Sequence, residues 1–226
     1  MANRYDFTRI SLMWRISKGH RRICIGEIIV PRSGHGISFK YFEQGIIDAK
    51  KEDPSFCGYP GIPIKTNEIT SEQLEEVFFN RLINNSRNDT MDFYDFWLVD
   101  KSKIEDKLYV LAQTQGLSIG DTFEFVPHFF CSHKPSFITD IAGLSHSQFE
   151  LSSLKKGDKL TFVRETDNPH DKNAVYVSLN SIKIGYIKQG HNMVFNKKNS
   201  KKIKVSVWNV IAVPGFEKLY VRIDIC

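Results

Sequence analysis

Charged and polar side chains are concentrated in residues 164–174, a segment that lies between two apolar stretches. Its sequence is Arg-Glu-Thr-Asp-Asn-Pro-His-Asp-Lys-Asn-Ala. Pro169 excludes a regular helix at this point, so the segment is predicted to be a loop between strands. Binding residues collect on loops that a rigid sheet holds in place, and the segment is therefore a candidate binding loop.

The residue types of this loop suit nucleic acid. The amides of Asn168 and Asn173 offer both a donor and an acceptor, which matches base edges. His170 has a planar ring that can stack on a base. Arg164 and Lys172 can meet phosphate groups.

Asp171 needs a different task, because a carboxylate repels phosphate. It could accept a hydrogen bond from a sugar hydroxyl or from a base amino group. A second interpretation stays open at this point: Asn168-Pro169 and Asp171-Lys172-Asn173 could simply form a capped turn, with Arg164 and Glu165 exposed.

Net charge differs between the two parts of the chain. Residues 1–130 hold 16 Lys and Arg against 18 Asp and Glu, whereas residues 131–226 hold 15 against 8. A basic part beside a slightly acidic one indicates two units, one of which meets a polyanion. Six lysines in the basic part could follow a phosphate backbone or could form a solvated loop: Lys188, Lys197, Lys198, Lys201, Lys202 and Lys204.

Several protein classes do not fit the sequence. No apolar run reaches the roughly 20 residues of a membrane-spanning helix, and the first residues do not resemble a signal peptide, so we expect a cytoplasmic protein. The cysteines, at positions 24, 57, 131 and 226, have no metal-type spacing, and we expect no metal or other cofactor. Neither His170 with Asp171 nor His128 and His133 near Cys131 gives a nucleophile–base–orienter pattern, so we expect no enzyme.

Hydrophobic periodicity predicts an α+β fold. Residues 9–16, 22–30 and 37–42 are predicted to form strands of a small antiparallel sheet. Helices are predicted at 43–52, at 105–115 and after Thr70, where Gln73 completes a capping box and Leu74, Val77, Phe78 and Leu82 form one apolar stripe. Residues 127–135 are a predicted linker.

After this linker the pattern changes to short strands, at residues 137–142, 159–164, 174–179, 183–187, 202–210 and 219–225. This spacing indicates a small barrel or sandwich. We therefore expect two domains, at residues 1–130 and 136–226.

The second domain resembles the HIRAN family. The similarity lies in Arg164-Glu165-x-Asp167-Asn168-Pro169-His170-Asp171-x-Asn173-Ala174-Val175 and in Ile184-Gly185-Tyr186-Ile187, with Ile141-Ala142-Gly143-Leu144 and residues 154–160 upstream. The resemblance implies an OB-like β-barrel. It also implies nucleic-acid binding, since HIRAN domains fused to remodelling helicases are implicated in gripping the 3′ end of single-stranded DNA.

The resemblance also implies roles for single residues. Asn168 and Asp171 match the Asn and Asp that touch the DNA terminus in the helicase-fused form. His170 replaces a loop tyrosine, and Ser145-His146 replaces an Arg-Tyr pair. Tyr186 stands where the helicase-fused domain has a polar ring, and Phe216, in the last hairpin, is a candidate stacking face.

Residues 8–127 resemble the N-terminal subdomain of HipA-type serine/threonine kinases. The similarity lies in Gly26-Glu27-Ile28, Phe39-Lys40-Tyr41, residues 58–63, Phe79-x-Arg81-Leu82, Ser86-Arg87-x-Asp89 and Leu111-Ala112-x-Thr114-x-Gly116. This subdomain also exists as a separate antitoxin to a split kinase. Phe96 and Trp97 are candidates for a core or for a contact with a partner.

Together these patterns predict a bacterial, non-catalytic adaptor. Its HIRAN domain is expected to bind DNA, preferably single-stranded and with 3′-end recognition as one option, while its first domain binds a protein. The alternative is an antitoxin-like inhibitor of a separately encoded HipA-type kinase. The expected nucleic-acid contacts are His146, Arg164, Asn168, His170, Asp171, Lys172, Asn173, Tyr186, Lys188 and Phe216.

Overall fold

A computed structural model of the chain describes residues 4–17, 19–33, 35–65, 69–83, 89–117, 122–130, 134–196, 202–213 and 215–226. The chain divides into two compact units, residues 1–128 and 129–226. The fold is α+β, as the periodicity predicts: a small antiparallel sheet with helices comes first, and a closed β-barrel follows.

The first unit is built on a four-stranded sheet. Its strands are β1 (Phe7–Trp14), β2 (Ile23–Ile29), β3 (Ser38–Tyr41) and β6 (Phe123–Phe129), in the order β3-β2-β1-β6. β2 pairs antiparallel with both β1 and β3. A two-stranded ribbon of β4 (Gly58–Tyr59) and β5 (Ile62–Pro63) accompanies the sheet.

Four helices belong to the same unit: α1 (Glu43–Glu52), α2 (Ser71–Phe79), α3 (Thr90–Phe96) and α4 (Lys107–Thr114). The bounds of α1 match the prediction. At the start of α2, Thr70 accepts from the Gln73 backbone and the Gln73 side chain accepts from the Thr70 backbone, so the predicted capping box is present. Leu74 and Phe78 are buried, but α2 ends before Leu82.

In this unit one helix was not predicted, one prediction is wrong, and the structure decides between the two alternatives for Trp97. Helix α3 was not foreseen from the sequence. The predicted linker at 127–135 is wrong at its start, because Pro127 lies inside β6. β6 is an edge strand of its sheet, and an edge strand tolerates a residue that lacks a backbone donor. Trp97 is only 4% exposed and belongs to the core.

The second unit is a closed six-stranded barrel in the order β10-β7-β12-β11-β8-β9. Its strands are β7 (Ser136–Ala142), β8 (Lys159–Arg164), β9 (Val175–Leu179), β10 (Ile182–Ile187), β11 (Ile203–Val213) and β12 (Phe216–Ile225). β11 and β12 are longer than predicted, since their pairing continues to Val213 and Phe216 at the hairpin turn.

Alternation along the strands separates an inner from an outer face. Val175 and Val177 of β9 are fully buried, whereas Tyr176 between them is half-buried. Tyr176 pairs with Tyr186 on β10, and Tyr186 pairs with Ala142 on β7. These three residues therefore lie next to one another on the outer face of the barrel.

Gly185 lets β10 approach β7 closely. A Cβ atom at this position would lie 2.6 Å from the Ala142 carbonyl oxygen and 2.6 Å from the Ile141 side chain. The glycine of the Ile184-Gly185-Tyr186 motif is thus required by packing, and it fixes the strand that carries Tyr186.

Within the part of the chain that the structure describes, no helix is both long and apolar enough to span a membrane.

Candidate nucleic-acid interface

Residues 165–174 form the predicted loop between β8 and β9, while Arg164, which the prediction included in the loop, is the last residue of β8. Its ends are tied together, because the Glu165 N–H donates to the Ala174 carbonyl over 2.9 Å. Asn168 organises the turn between them: its Oδ1 accepts from the backbone N–H of His170 at 2.9 Å and of Asp171 at 3.1 Å. This is the Asx geometry by which an asparagine side chain replaces a backbone acceptor.

The other end of the Asn168 amide faces the barrel. Its Nδ2 donates to Glu165 Oε2 at 2.6 Å and to the Tyr186 hydroxyl at 3.4 Å. All four hydrogen-bonding positions of this amide are therefore used inside the protein. Asn168 is a loop-positioning residue in this structure, and the role of touching a DNA terminus, which the resemblance implies, would need these bonds to break.

Glu165 is the centre of a polar cluster that also contains Asn168, Lys183 and Tyr186. Its carboxylate accepts from the Tyr186 hydroxyl at 2.6 Å and from Lys183 Nζ at 2.9 Å, besides the Asn168 amide. Its side chain is 26% exposed, so it is not the fully exposed residue that the capped-turn interpretation assumed. The cluster joins the loop to β10.

Hydrogen bonds set the ionisation of this cluster. Those from Tyr186, Asn168 and Lys183 lower the pKa of Glu165 to about 2 from its ordinary value of 4.5. Burial works to lower the pKa of Lys183, but the hydrogen bonds to Tyr186 and Glu165 outweigh it and the pKa is raised. Glu165 is therefore an anion, and Lys183 a cation, at neutral pH.

Lys183 also lies over two aromatic rings. Its Nζ is 4.7 Å from the centre of the Tyr176 ring and 4.3 Å from that of the Tyr186 ring. The two rings meet edge to face, with centroids 6.5 Å apart. An ammonium over an aromatic face is favoured by the ring quadrupole, and the same faces are of a kind that bases stack on.

Asp171 is tied to the turn that follows β10. Its Oδ1 accepts from the Asn173 backbone at 2.8 Å, and its Oδ2 accepts from Asn192 Nδ2 at 2.7 Å. The Asn192 amide is buried and also donates to the Asn173 carbonyl at 2.9 Å. Each carboxylate oxygen can accept a second bond, and Asp171 is half-buried, so it can still take a hydroxyl donor.

Lys188 lies where no phosphate reaches it. Its side chain is fully covered and forms an ion pair with Asp140 of β7. The expectation that Lys188 contacts nucleic acid is therefore corrected: its ammonium, directly after β10, is buried against Asp140 of β7. Sequence alone could not show this, because the partner lies 48 residues earlier in the chain.

The remaining predicted contacts lie at the end of β8 or on the loop after it, on the turn after β7, and at the start of β12. Arg164, His170 and Lys172 are exposed on the loop or at its start. His146 is exposed on a short 3-10 turn, Leu144–His146, which begins after Gly143. A Cβ atom on Gly143 would lie 3.5 Å from the Tyr186 ring, so this turn starts beside the cluster.

Phe216 is 40% exposed at the start of β12. Lys218 follows it on the same face, with Nζ 5.6 Å from the Phe216 ring centre. Tyr220 comes next, is buried, and pairs with Asp140 on β7. Asp140 and Ala142 share a face of β7, so Phe216 and Tyr186 belong to one outer face of the barrel wall.

Some predicted features fall outside the described residues, namely Lys197, Lys198, Lys201, Cys131 and His133. The described cysteines, Cys24, Cys57 and Cys226, are free thiols. Among the described residues no group of three or more His, Cys, Asp or Glu could hold a metal ion. His128 shares a hydrogen bond of 2.8 Å with Ser11.

Glu165 predicts a pH dependence of stability. A carboxylate whose pKa is lower in the folded than in the unfolded state stabilises the fold above the unfolded value, and this contribution is lost as pH falls toward the folded value. For Glu165 the window runs from about pH 4.5 down to about 2. Glu165→Gln removes charge-assisted hydrogen bonds that contribute about 1 kcal/mol to the free energy of unfolding. We therefore expect it to lower Tm at pH 6 by about 4 °C. This difference in Tm should shrink progressively toward pH 2.

Thermal unfolding across this pH range measures the difference. Glu217→Gln removes a carboxylate from an exposed position on β12 and serves as the matched control. A gap between wild type and Glu165→Gln that stays constant from pH 6 to pH 2 would contradict the prediction.

Sequence reasoning missed four residues of this interface: Glu165, Tyr176, Lys183 and Asn192. Glu165 lies in the motif but was read as exposed. Tyr176 could have been found, since alternation along β9 places it outside. No local signal marks Lys183 or Asn192, because both reach the loop only through the closure of the barrel.

Comparisons with known proteins show a similarity that is confined to the second unit. A family model described as the HIRAN domain matches residues 134–212. Among solved structures, the HIRAN domain of human HLTF is 18% identical with a TM-score of 0.33, over 39% of this chain and 73% of that chain. A Lactobacillus plantarum protein is 21% identical with a TM-score of 0.32, over 38% and 91%. No protein in the curated collection matches the chain.

Proposed function

From the premise that residues 134–212 form a HIRAN domain, we propose that the barrel binds single-stranded nucleic acid on its outer face. The observation that carries the proposal is the arrangement of Tyr176, Tyr186 and Lys183. Both aromatic rings are half-buried, and the Lys183 ammonium lies 4.7 Å from the centre of the Tyr176 ring and 4.3 Å from that of the Tyr186 ring. Rings supply stacking and the ammonium supplies a phosphate contact, which are the two requirements of single-strand binding.

The loop adds cations to this face. These are Arg164 and Lys172, which are exposed together with the planar ring of His170, and Asn168 holds the loop in place against Tyr186. Phosphate contacts by such side chains give affinity without sequence preference. The proposal therefore predicts binding that is tolerant of base sequence and weakens steeply with salt.

Recognition of a 3′ end is a separate step of the proposal. Asp171 supports it, because its carboxylate is half-buried, fixed by Asn173 and Asn192, and able to accept one more hydrogen bond. A terminal sugar hydroxyl is a suitable donor. An oligonucleotide with a 3′-phosphate should then bind more weakly than one with a free 3′-hydroxyl, and equal affinities would remove end recognition while leaving strand binding intact.

The test of strand binding uses the ring of Tyr176. We expect Tyr176→Leu to weaken binding of a single-stranded oligonucleotide by about 5- to 100-fold, since base–aromatic stacking contributes about 1–3 kcal/mol per base. Tyr176→Phe keeps the ring and should bind as the wild type does. Fluorescence anisotropy at two salt concentrations, with single-stranded DNA, duplex DNA and RNA, measures both effects.

A charge control and a clear contrary result complete the experiment. Lys50→Gln removes one positive charge from an exposed position of α1 in the first unit, and it should leave affinity unchanged. Binding that is identical for the wild type and Tyr176→Leu, or no binding by the wild type to any of the three ligands, would overturn the proposal.

The role of the first unit stays a prediction. Its resemblance to the HipA-type subdomain concerns residues 8–127, outside the segment that the HIRAN model matches. An adaptor and an antitoxin both need a protein partner, and Trp97 is ruled out as an exposed anchor by its burial. Purification of the intact chain from its host, with identification of any kinase that accompanies it, distinguishes the two roles.

A further inference from the structure

Three hydrogen-bond donors converge on one carboxylate at the proposed binding face. The Tyr186 hydroxyl lies 2.6 Å and the Asn168 amide 2.6 Å from Glu165 Oε2, and Lys183 Nζ lies 2.9 Å from Oε1. An ammonium, a hydroxyl and an amide around two anionic oxygens are also the donor types that bind a phosphate. Glu165 thus occupies what is chemically an anion site.

A phosphate and the Glu165 carboxylate exclude each other at this site. The donors can satisfy one anion, and two like charges at hydrogen-bonding distance from the same donors repel each other, more strongly near a protein surface than in water. A nucleic-acid phosphate that contacts Lys183 must therefore move the carboxylate away or bind elsewhere.

The local structure allows Glu165 to leave without unfolding the loop. Its backbone N–H remains bonded to the Ala174 carbonyl over 2.9 Å, so only the side chain has to rotate. That side chain is 26% exposed and already reaches solvent. Rotation of a partly exposed side chain is fast compared with rearrangement of a loop.

Displacement of Glu165 also affects the rings. In this structure the Lys183 ammonium is shared between Glu165, the Tyr186 hydroxyl and the face of the Tyr176 ring. When Lys183 follows a phosphate, it withdraws from the Tyr176 ring and opens that face to a base. One exchange of anions thus supplies both the phosphate contact and the stacking surface.

We propose that Glu165 is an internal competitor for phosphate, which holds the donors Lys183, Tyr186 and Asn168 in the unbound protein and is displaced when a single strand binds. This inference rests on the proposed function, and it restricts binding to ligands that can displace the Glu165 carboxylate. Weak ligands that bring a single phosphate do not displace the carboxylate, whereas a strand that also stacks its bases does.

The experiment compares Glu165→Gln with the wild type in the full chain. We expect the variant to bind a single-stranded oligonucleotide about tenfold more tightly, and its salt dependence to steepen by about 0.7 in the log–log slope, which corresponds to one further phosphate. In a Lys183→Met background the same replacement should change affinity by less than about twofold, because the main donor is missing. Glu165→Gln binding that equals or falls below the wild type overturns the inference.

Asp167→Asn is the matched control for charge alone. Asp167 is an exposed acid in the same loop, and its replacement removes the same charge as Glu165→Gln. A gain for Asp167→Asn equal to that for Glu165→Gln would mean general repulsion, and it would refute competition at the donor site.

A second probe separates this inference from the proposed function. Inorganic tripolyphosphate brings anionic oxygens without bases, and the NMR resonance of the Lys183 side chain follows its binding. Tighter tripolyphosphate binding by Glu165→Gln than by the wild type supports the competitor role even where no oligonucleotide binds. Equal binding of tripolyphosphate by both proteins overturns it, whatever the oligonucleotides do.

Discussion

We expect Asn168→Ala to weaken binding of a single-stranded oligonucleotide by about tenfold or more and to destabilise the barrel by about 2–3 kcal/mol. The replacement removes two bonds to the backbone of His170 and Asp171 and two to Glu165 and Tyr186. Each such bond contributes about 0.5–1.5 kcal/mol net. Affinity falls because the strand must then order a loop that the wild type holds ready.

Hydrogen exchange of residues 165–174 distinguishes this positioning role from direct contact. In Asn168→Ala the amides of His170 and Asp171 lose their acceptor, so their exchange should accelerate together with the loss of affinity. Asn168→Asp keeps the acceptor and should preserve the protection of these two amides, yet it brings a second carboxylate beside Glu165 and weakens binding. Lost affinity with unchanged protection in Asn168→Ala would instead indicate that Asn168 touches the ligand itself.

The elements that could be predicted from the sequence are those set by residues close together in the chain. The capping box of Thr70 and Gln73 marked the start of α2, and residues 159–164 matched β8 because period-2 alternation and flanking turns agree there. The loop between β8 and β9 was identified from its composition. Helix α3 was missed, since its seven residues, Thr90–Phe96, are too few for a helical period to appear.

What could not be predicted depends on pairing between distant strands. Glu165 and Lys183 are 18 residues apart, and they meet because β9 pairs with both β8 and β10. A one-residue change in that register would turn Tyr186 to the inner face. The candidate binding loop could therefore be located from the sequence, but not the fact that its own Glu165 accepts from Lys183, Tyr186 and Asn168.

Asp140→Ala should lower the free energy of unfolding of the barrel by about 3–5 kcal/mol, because it removes the carboxylate that pairs with the buried Lys188 ammonium. Lys188 is fully covered, whereas the Asp140 side chain is 14% exposed. Lys188→Met should lower the free energy of unfolding by less than Asp140→Ala does, since the Asp140 carboxylate that remains is partly exposed to solvent. Asp140→Leu combined with Lys188→Met replaces the pair by apolar groups and should be close to the wild type in stability.

Hydrogen exchange of the β7 and β10 amides in increasing urea measures the relative stabilities of these variants within the second unit.

The same variants test whether Lys188 has a structural role or contacts nucleic acid. Because its ammonium is buried against Asp140, folded Lys188→Met should bind an oligonucleotide as tightly as the wild type at a temperature well below its Tm. A marked loss of affinity in that folded variant would mean that Lys188 contacts the nucleic acid. The ion pair between Lys188 and Asp140 would then have to open when a strand binds.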